Sequence, residues 1–331
     1  MRHLKTFLVA AAVFAFDTGS GSAQSGSAQN WPSRPLTMVV PFAAGGPIDT
    51  LGRVLQPALG EALGQQVIIE NAPGGGGMIG SQRVALASAD SPMFVLGSIG
   101  THSIGQSMHS KPAYDAATAF QPVILVADAP LVLIVRKDLP AKTLQEFVTY
   151  AKANQGKMQY GSGGTGTSSH IGCVLLNDTI GVKVVHVPYR GGGPALQDLI
   201  AGRNDYICNY VSTAVAAVNS GQARVLATLA HKRSASFPNV PTADEQGLKD
   251  FDISAWNAIF LPKSATPAMV AKLNAAVSKA LDNPTVQKRL DDLGLIAPSV
   301  ERRTPAYLQT FVESEIKKWA APVKAGGLQV D

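Results

Sequence analysis

Short apolar runs alternate with helical patterns along most of the chain. LTMVV (36–40) is followed by a helical pattern over 47–63, QVIIE (66–70) by one over 78–88, and MFVLGS closes the first series at 98. A second series runs VLIVR then 143–154, KMQYGS then 167–180, KVVHV then 193–201, DYICNYV then 213–220, and RVLATLA. Apolar runs of five to seven residues suit buried strands, and strands that alternate with helices predict an α/β fold: parallel sheet with helices on its faces. The last eighty residues change character. TPAMVAKLNAAVSKALDN carries a Thr266 cap, Pro267 in the first turn, and Val270, Leu273, Val277 and Leu281 on one stripe, while TPAYLQTFVESEIKKW repeats the start signal at Thr304 and Pro305. These helices are expected to pack onto a domain already built.

The chain has 331 residues, more than one comfortable core holds, and two domains are expected. The Pro-rich stretch FPNVPTADEQGL (237–248) reads as a loop, and the apolar strand ISAWNAIFL after it reads as a return to the first domain. The predicted division is 24–128, 129–251 and 252–331, with the chain crossing near 127–130 and again near 250–255 to make a hinge.

The N-terminus sets the compartment. Arg2 and Lys5 precede the apolar run FLVAAAVFAF, and small-residue sites at Gly21-Ser22-Ala23 or Gly26-Ser27-Ala28 follow. That order predicts a secretory signal peptide over 1–23 and a periplasmic mature protein. Its removal takes away Arg2, Lys5 and Asp17 and lowers the formal net charge from +5 to +4. So mild an excess is ordinary surface chemistry, and no nucleic-acid partner is expected. With only Cys173 and Cys208, the chain is not a disulfide scaffold; the pair is either one bridge or two buried thiols.

Several chemistries find little support. GSGGTG (161–166) spells G-x-G-x-x-G between a strand and a helix, but the next strand ends in Pro188-Tyr189-Arg190 without the acid that a dinucleotide ribose needs. No phosphate-loop motif occurs, and the six histidines show no metal-ligand spacing, so neither cofactor nor metal is expected. A hydrolase would use Ser162, Ser168 or Ser169 with His170, although G-x-S-x-G is absent and adjacent helical residues rarely face one another.

Three Gly-rich strand-to-helix turns remain: PFAAGGP (41–47), NAPGGGG (71–77) and GSGGTG. A helix start offers unpaired N–H groups and the positive end of the helix dipole, and glycine lets a ligand approach the backbone closely. A carboxylate held this way needs no cationic side chain. PGGGG is expected to serve turn and packing only. Asp49, in a first helical turn, either complements the dipole or orients ligand. Ser98, Thr101 and His102 end another strand, where α/β sites usually lie, and Tyr189, Arg190 and Gly191–Gly193 lie at an equivalent end in the second domain. Trp256 and Trp319 are expected in packing.

Five ordered segments, WPSRPLTMVVPFAAGGPIDTLGRVL, VIIENAPGGGGMIGS, MQYGSGGTGTSSH, VVHVPYRGGGPALQDLIAG and FPNVPTADEQGL, resemble the solute-binding proteins of tripartite tricarboxylate transporters, the Bug receptor family. The resemblance spans 31 to about 330. It implies two domains of periplasmic-binding-protein (type II-like) fold closing over a cleft at the hinge. It also implies a binding protein rather than an enzyme, acting as a monomer, with a small organic carboxylate as ligand and a membrane permease as partner. A membrane sensor is the alternative partner. The carboxylate is expected between the loop carrying Phe42, Ala43, Ala44, Gly46 and Asp49 and the loop carrying Ser162, Gly163, Thr167, Ser168 and His170. Two departures stand out. PFAAGG replaces a proline-glycine-rich form of the first loop, and Cys208-Asn209-Tyr210 stands where many relatives read Phe-Asp-Asn. The second takes away an acid that would pair with an ammonium. The expected ligand therefore lacks an amine and is a dicarboxylate, an aromatic one such as terephthalate foremost, its far carboxylate reaching Asn209, Tyr189 or Arg190.

Overall fold

The computed structural model describes residues 31–249, 251–325 and 328–329, so the predicted signal peptide lies outside the described residues. The fold is α/β, and among those residues no helix is long and apolar enough to cross a membrane. In chain order the first elements are β1 (Leu36–Val40), α1 (Pro47–Leu63), β2 (Val67–Asn71), α2 (Met78–Ala85), β3 (Met93–Ser98) and the short α3 (Gly105–Met108). The long strand β4 (Phe120–Arg136) leads into α4 (Leu144–Asn154), β5 (Gln159–Ser162), α5 (Ser168–Ile180), β6 (Val185–Pro188), α6 (Gly192–Ile200), β7 (Tyr206–Tyr210), α7 (Val211–Asn219) and β8 (Ala223–Thr228). The strand β9 (Ser254–Pro262) then precedes α8 (Pro267–Leu281), α9 (Pro284–Asp292) and α10 (Pro305–Ala325).

The helix boundaries follow local chemistry. Pro47 opens α1, where a missing N–H costs nothing, and Gly64 closes it at φ 65°, donating to the Glu61 and Gly60 carbonyls. Between them Leu51, Leu55 and Leu59 are buried on one face. Thr143, Thr167 and Thr266 cap α4, α5 and α8 by accepting from the N–H of Glu146, His170 and Met269.

The strands run in the order β2-β1-β3-β9-β4-β7-β5-β6, with β8 also paired to β4. Parallel pairing holds for β1 with β2 and β3, and for β5 with β6 and β7. The expectation of a parallel sheet fails at the centre, where β9 pairs antiparallel with β3 and β4, and β4 pairs antiparallel with β7 and β8. The reason is connectivity. β3 and β4 run in the same direction, and β9, reached from β8 through 229–253 without a helix, enters between them from the other side and so runs against both. One strand was also read too short: β4 begins at Phe120, not at Val132. Pro122 and Pro130 interrupt its pattern, and the register shifts between Pro122 and Ile124 and between Leu125 and Ala127.

At Pro130 the strand changes partners. Phe120–Pro130 pairs with β9, whereas Leu131–Arg136 pairs with β7 and β8, and the chain returns at Ser254 opposite Pro130. Just before the change, Asp128 exchanges both backbone hydrogen bonds with Ile296 at 2.9 Å and accepts a two-pronged ion pair from Arg302 at 2.5 and 3.0 Å. The C-terminal segment thereby fastens onto the crossing strand. Trp256 and Trp319 are packing residues as expected, both buried and both donating their indole N–H to the buried Glu315 carboxylate.

The two thiols are joined. Cys173 on α5 bridges Cys208 on β7 with Cα atoms 5.3 Å apart, which closes a chain separation of 35 residues. Replacing both cysteines with alanine is expected to lower the unfolding free energy by about 4 kcal/mol. Urea unfolding of the double variant against the oxidised protein measures this, and equal midpoints would mean that the bridge contributes nothing.

Candidate functional site

Four strands end at a common edge and four helices begin there. β1 runs through Phe42–Gly46 into α1, β5 through Gly163–Thr167 into α5, β6 through Tyr189–Gly191 into α6, and β7 into α7 with no intervening residue. The four starts surround a small cavity of about 20 Å³, enough for about one water molecule. Pro47 and Ile48 of α1, Ser168 and Ser169 of α5, Gly192 of α6 and Tyr210 at the start of α7 all line it, with Phe42, Ser98, Gly163, Thr167 and Asn209 filling the wall. No ionisable acid or base lines it apart from the Tyr210 phenol, which burial pushes up to about 12. Its polarity comes from helix starts and hydroxyls, the equipment for an anion. Asn209 adds a donor: it is 1% exposed, its Oδ1 accepts from the Tyr210 N–H at 2.9 Å, and its Nδ2 has no acceptor among the described residues.

The loops are held by side chains behind the cavity. Asp49 opposes its own burial by accepting from Arg53 Nε at 2.9 Å, Gly45 N–H at 2.9 Å and Asn71 Nδ2 at 3.0 Å, and these donors hold its carboxyl below the usual range. It ties the Gly45 turn of the first loop to α1 and to the end of β2. Ser162 Oγ accepts from Gly164 N–H at 3.1 Å and lies 2.7 Å from His186 Nε2, and Ser169 Oγ accepts from Gly163 N–H at 2.8 Å. Ser168 donates to the Tyr210 hydroxyl at 2.9 Å, linking the starts of α5 and α7. Gly163 is glycine for closeness: a Cβ there would lie 3.2 Å from Gly192 N.

A larger cavity of about 680 Å³ opens outside this one and shares Phe42 and Gly163 with it as a common wall. Its rim includes Gly74–Gly77, Ile79, His109, Thr165, Pro188, Tyr189 and Arg190. The two halves touch here. Ala43 N–H donates to the Arg190 carbonyl at 3.1 Å, and at Gly76, with φ 63°, a Cβ would lie 2.3 Å from the Thr165 carbonyl oxygen.

The predicted residues therefore divide. Phe42, Ser98, Gly163, Thr167, Ser168, Asn209 and Tyr210 meet at the inner cavity, and Tyr189 and Arg190 at the outer one. Thr101 and His102 do not reach either. A one-turn π-helix over Gly100–Ile104 folds them beneath β3, where Thr101 Oγ1 bonds to both Ser98 N–H and Ser98 O, and His102 stacks on Phe260 at 3.9 Å. Ser162 and His170 lie behind their loop rather than in the cavity, His170 stacked on His186 at 4.0 Å. Ala44 is exposed beyond the rim, and Ala43 and Gly46 contribute backbone contacts across the cleft. Tyr189, one of three groups expected at the far carboxylate, lines the outer cavity, but its hydroxyl proton is already given to Asp198 at 2.8 Å while its oxygen accepts from Asn204. PGGGG packs tightly, as expected, but also forms the rim, which was missed, as was His186; Gly192, from the Gly191–Gly193 run named at this strand end, lines the inner cavity. The hydrolase arrangement does not form: His170 Nδ1 accepts from Gly166 N–H, and neither Ser168 nor Ser169 bonds to it.

Residues 51–328 match the family described as tripartite tricarboxylate transporter family receptor. The chain is similar to MatC of Rhodopseudomonas palustris, solved with bound malate, at 40% identity and a TM-score of 0.86 over 88% of this chain and all of that one. It is similar to the periplasmic binding protein BugD at 34% identity and a TM-score of 0.88, covering 90% of this chain and 99% of that one. A second R. palustris protein, solved with adipate, matches at 31% identity with a TM-score of 0.85 over 90% and 98% of the respective chains.

The histidines behind the loop make stability depend on pH. Burial, and then the neighbouring His186, pushes His170 down to about 3, and burial pushes His186 down to about 4. Each folded-state value lies below the ordinary one near 6.5, so the unfolded chain takes up protons first and stability falls as pH drops from 6.5 towards 4. His170→Gln is expected to remove about 1.4 kcal/mol per pH unit from that slope. Urea midpoints at pH 7, 6, 5 and 4 for both proteins test this, and parallel curves would contradict it.

Proposed function

The chain belongs to the tripartite tricarboxylate transporter receptor family, and from that premise we propose that it captures a small dicarboxylate in the cleft and delivers it to a membrane permease. The observation carrying this reading is the inner cavity, with four helix starts and the Asn209 amide N–H around a space free of charged side chains. A carboxylate there meets several fixed N–H donors. Each charge-assisted bond contributes roughly 1.5–3 kcal/mol, so a few supply much of the roughly 8 kcal/mol of a micromolar complex. Relatives solved with malate and with adipate support a dicarboxylate. Terephthalate is the aromatic member of the class to test beside them.

In this reading residues 24–128 with 252–331 form one lobe and 129–251 the other, hinged where β4 changes partners and where the chain returns at Ser254. Closure brings Ala43 to the Arg190 carbonyl and Gly76 to Thr165, and the ligand favours it only as far as it gains contacts there. The signal peptide at 1–23 exports the protein, which works in the periplasm as a monomer. The family is one of receptors, and binding without covalent change is its activity.

Two measurements test the proposal. In a thermal-shift screen, a dicarboxylate at a hundredfold excess over its Kd should stabilise the protein by about 2.7 kcal/mol, and amino acids should be weaker than the best dicarboxylate. Silence from every carboxylate would end the proposal. Asn209→Asp should cost the best ligand about 1–3 kcal/mol, or roughly 5- to 150-fold in affinity by calorimetry, because it sets a second negative charge inside the cavity. Undiminished affinity would remove Asn209 from the site.

A further inference from the structure

The inner cavity is too small for a whole dicarboxylate. With about 20 Å³ of room it takes one carboxylate group at most, whereas the adjoining outer cavity offers about 680 Å³. The two cavities adjoin at Phe42 and Gly163, so a ligand whose one end is gripped by the helix starts extends past that shared wall into the outer space. There it meets an apolar wall made by Phe42, Pro188 and Ile79, the last 59% exposed despite its size. It also meets Arg190. The Arg190 side chain is exposed and has no acceptor among the described residues, while its own carbonyl is fixed by Ala43 N–H across the cleft. A permanent cation is thus anchored by its backbone at the rim of a cavity of mixed lining, with Phe42, Pro188 and Ile79 as its apolar part.

We propose that Arg190 is the specificity-determining residue of an outer subsite that receives the far carboxylate of an elongated dicarboxylate, about six carbons long or aromatic, lying through both cavities. The inference rests on the reading of the inner cavity as a carboxylate site and adds the second contact, the length of the ligand and its charge pattern. Asn209 and Arg190 then serve opposite ends, since they line different cavities. The aliphatic or aromatic middle of the ligand covers the apolar wall and partly dries the far ion pair, which makes that pair stronger than a freely solvated one.

Three ligands of equal length isolate the outer end: hexanoate, adipate and 6-aminohexanoate share the inner carboxylate and differ only beyond it. Calorimetry on the unmodified protein should favour adipate over hexanoate by about tenfold, equivalent to 1.4 kcal/mol, and the ratio should shrink as salt is raised. In Arg190→Gln the ratio should fall to about twofold or less, in Arg190→Lys it should be partly kept, and in Arg190→Glu 6-aminohexanoate should overtake adipate. A ratio unmoved in Arg190→Gln, or an unchanged order in Arg190→Glu, would overturn the outer subsite while leaving the inner one intact. If neither hexanoate nor adipate binds the unmodified protein while succinate or malate does, the ligand does not extend and the inference also fails. If no carboxylate binds at all, the failure belongs to the inner site itself.

Discussion

A carboxylate can leave water only if fixed donors replace its hydration, and under the proposed function those donors are the helix starts and the Asn209 amide around the inner cavity. Four strands must end at the same edge so that four helices can start around one small space. That requirement explains features that otherwise look unrelated. Gly163 lacks a side chain because Gly192 comes so near, and Asp49 sits buried because three donors must shape the loop before α1. Ser168 and Tyr210 are bonded because α5 and α7 have to keep their spacing. The disulfide ties α5 to β7, the strand that leads into α7, since Cys173 lies on α5 and Cys208 immediately precedes Asn209.

The elements were largely legible in the sequence because apolar periodicity depends on burial, and burial is regular on these strands and helices. The helix over 47–63 and the cap at Thr266 are visible as chemistry at single positions, while the caps at Thr143 and Thr167 emerge only with the structure. What was not legible is pairing. Nothing in ISAWNAIFL says that it lies between β3 and β4, and prolines inside β4 hide its length from any pattern of alternation. Strand order is a property of distant residues, and one sequence supplies only the local half of it.

The site divided along the same line. Its loops were visible because glycines before a helix carry a backbone meaning at the position where they occur. Which side chains point into the cleft was less visible. Ser98, Thr101 and His102 follow one another, yet only Ser98 reaches the cavity, because a π-turn over Gly100–Ile104 carries the other two under the sheet. His170 looked like a polar group at a site and is instead part of a stack with His186 and Tyr160 that supports the loop from below. Tyr189 lost its hydroxyl to Asp198, nine residues later on α6, a partner visible only once that helix is folded back.

The position of β9 has a consequence for how the molecule comes into being. It lies between β3 and β4, in the middle of the strands formed by the first 130 residues, yet it is synthesised after the entire excursion from Leu131 to Ile253. A chain emerging from its N-terminus therefore cannot complete its first sheet until residue 262 has appeared, whereas the central segment has all its own strands in hand by residue 228. The later part of the sequence is thus the earlier to be able to close its core. The leading segment therefore waits on the far end of the chain for the strand that joins β3 to β4.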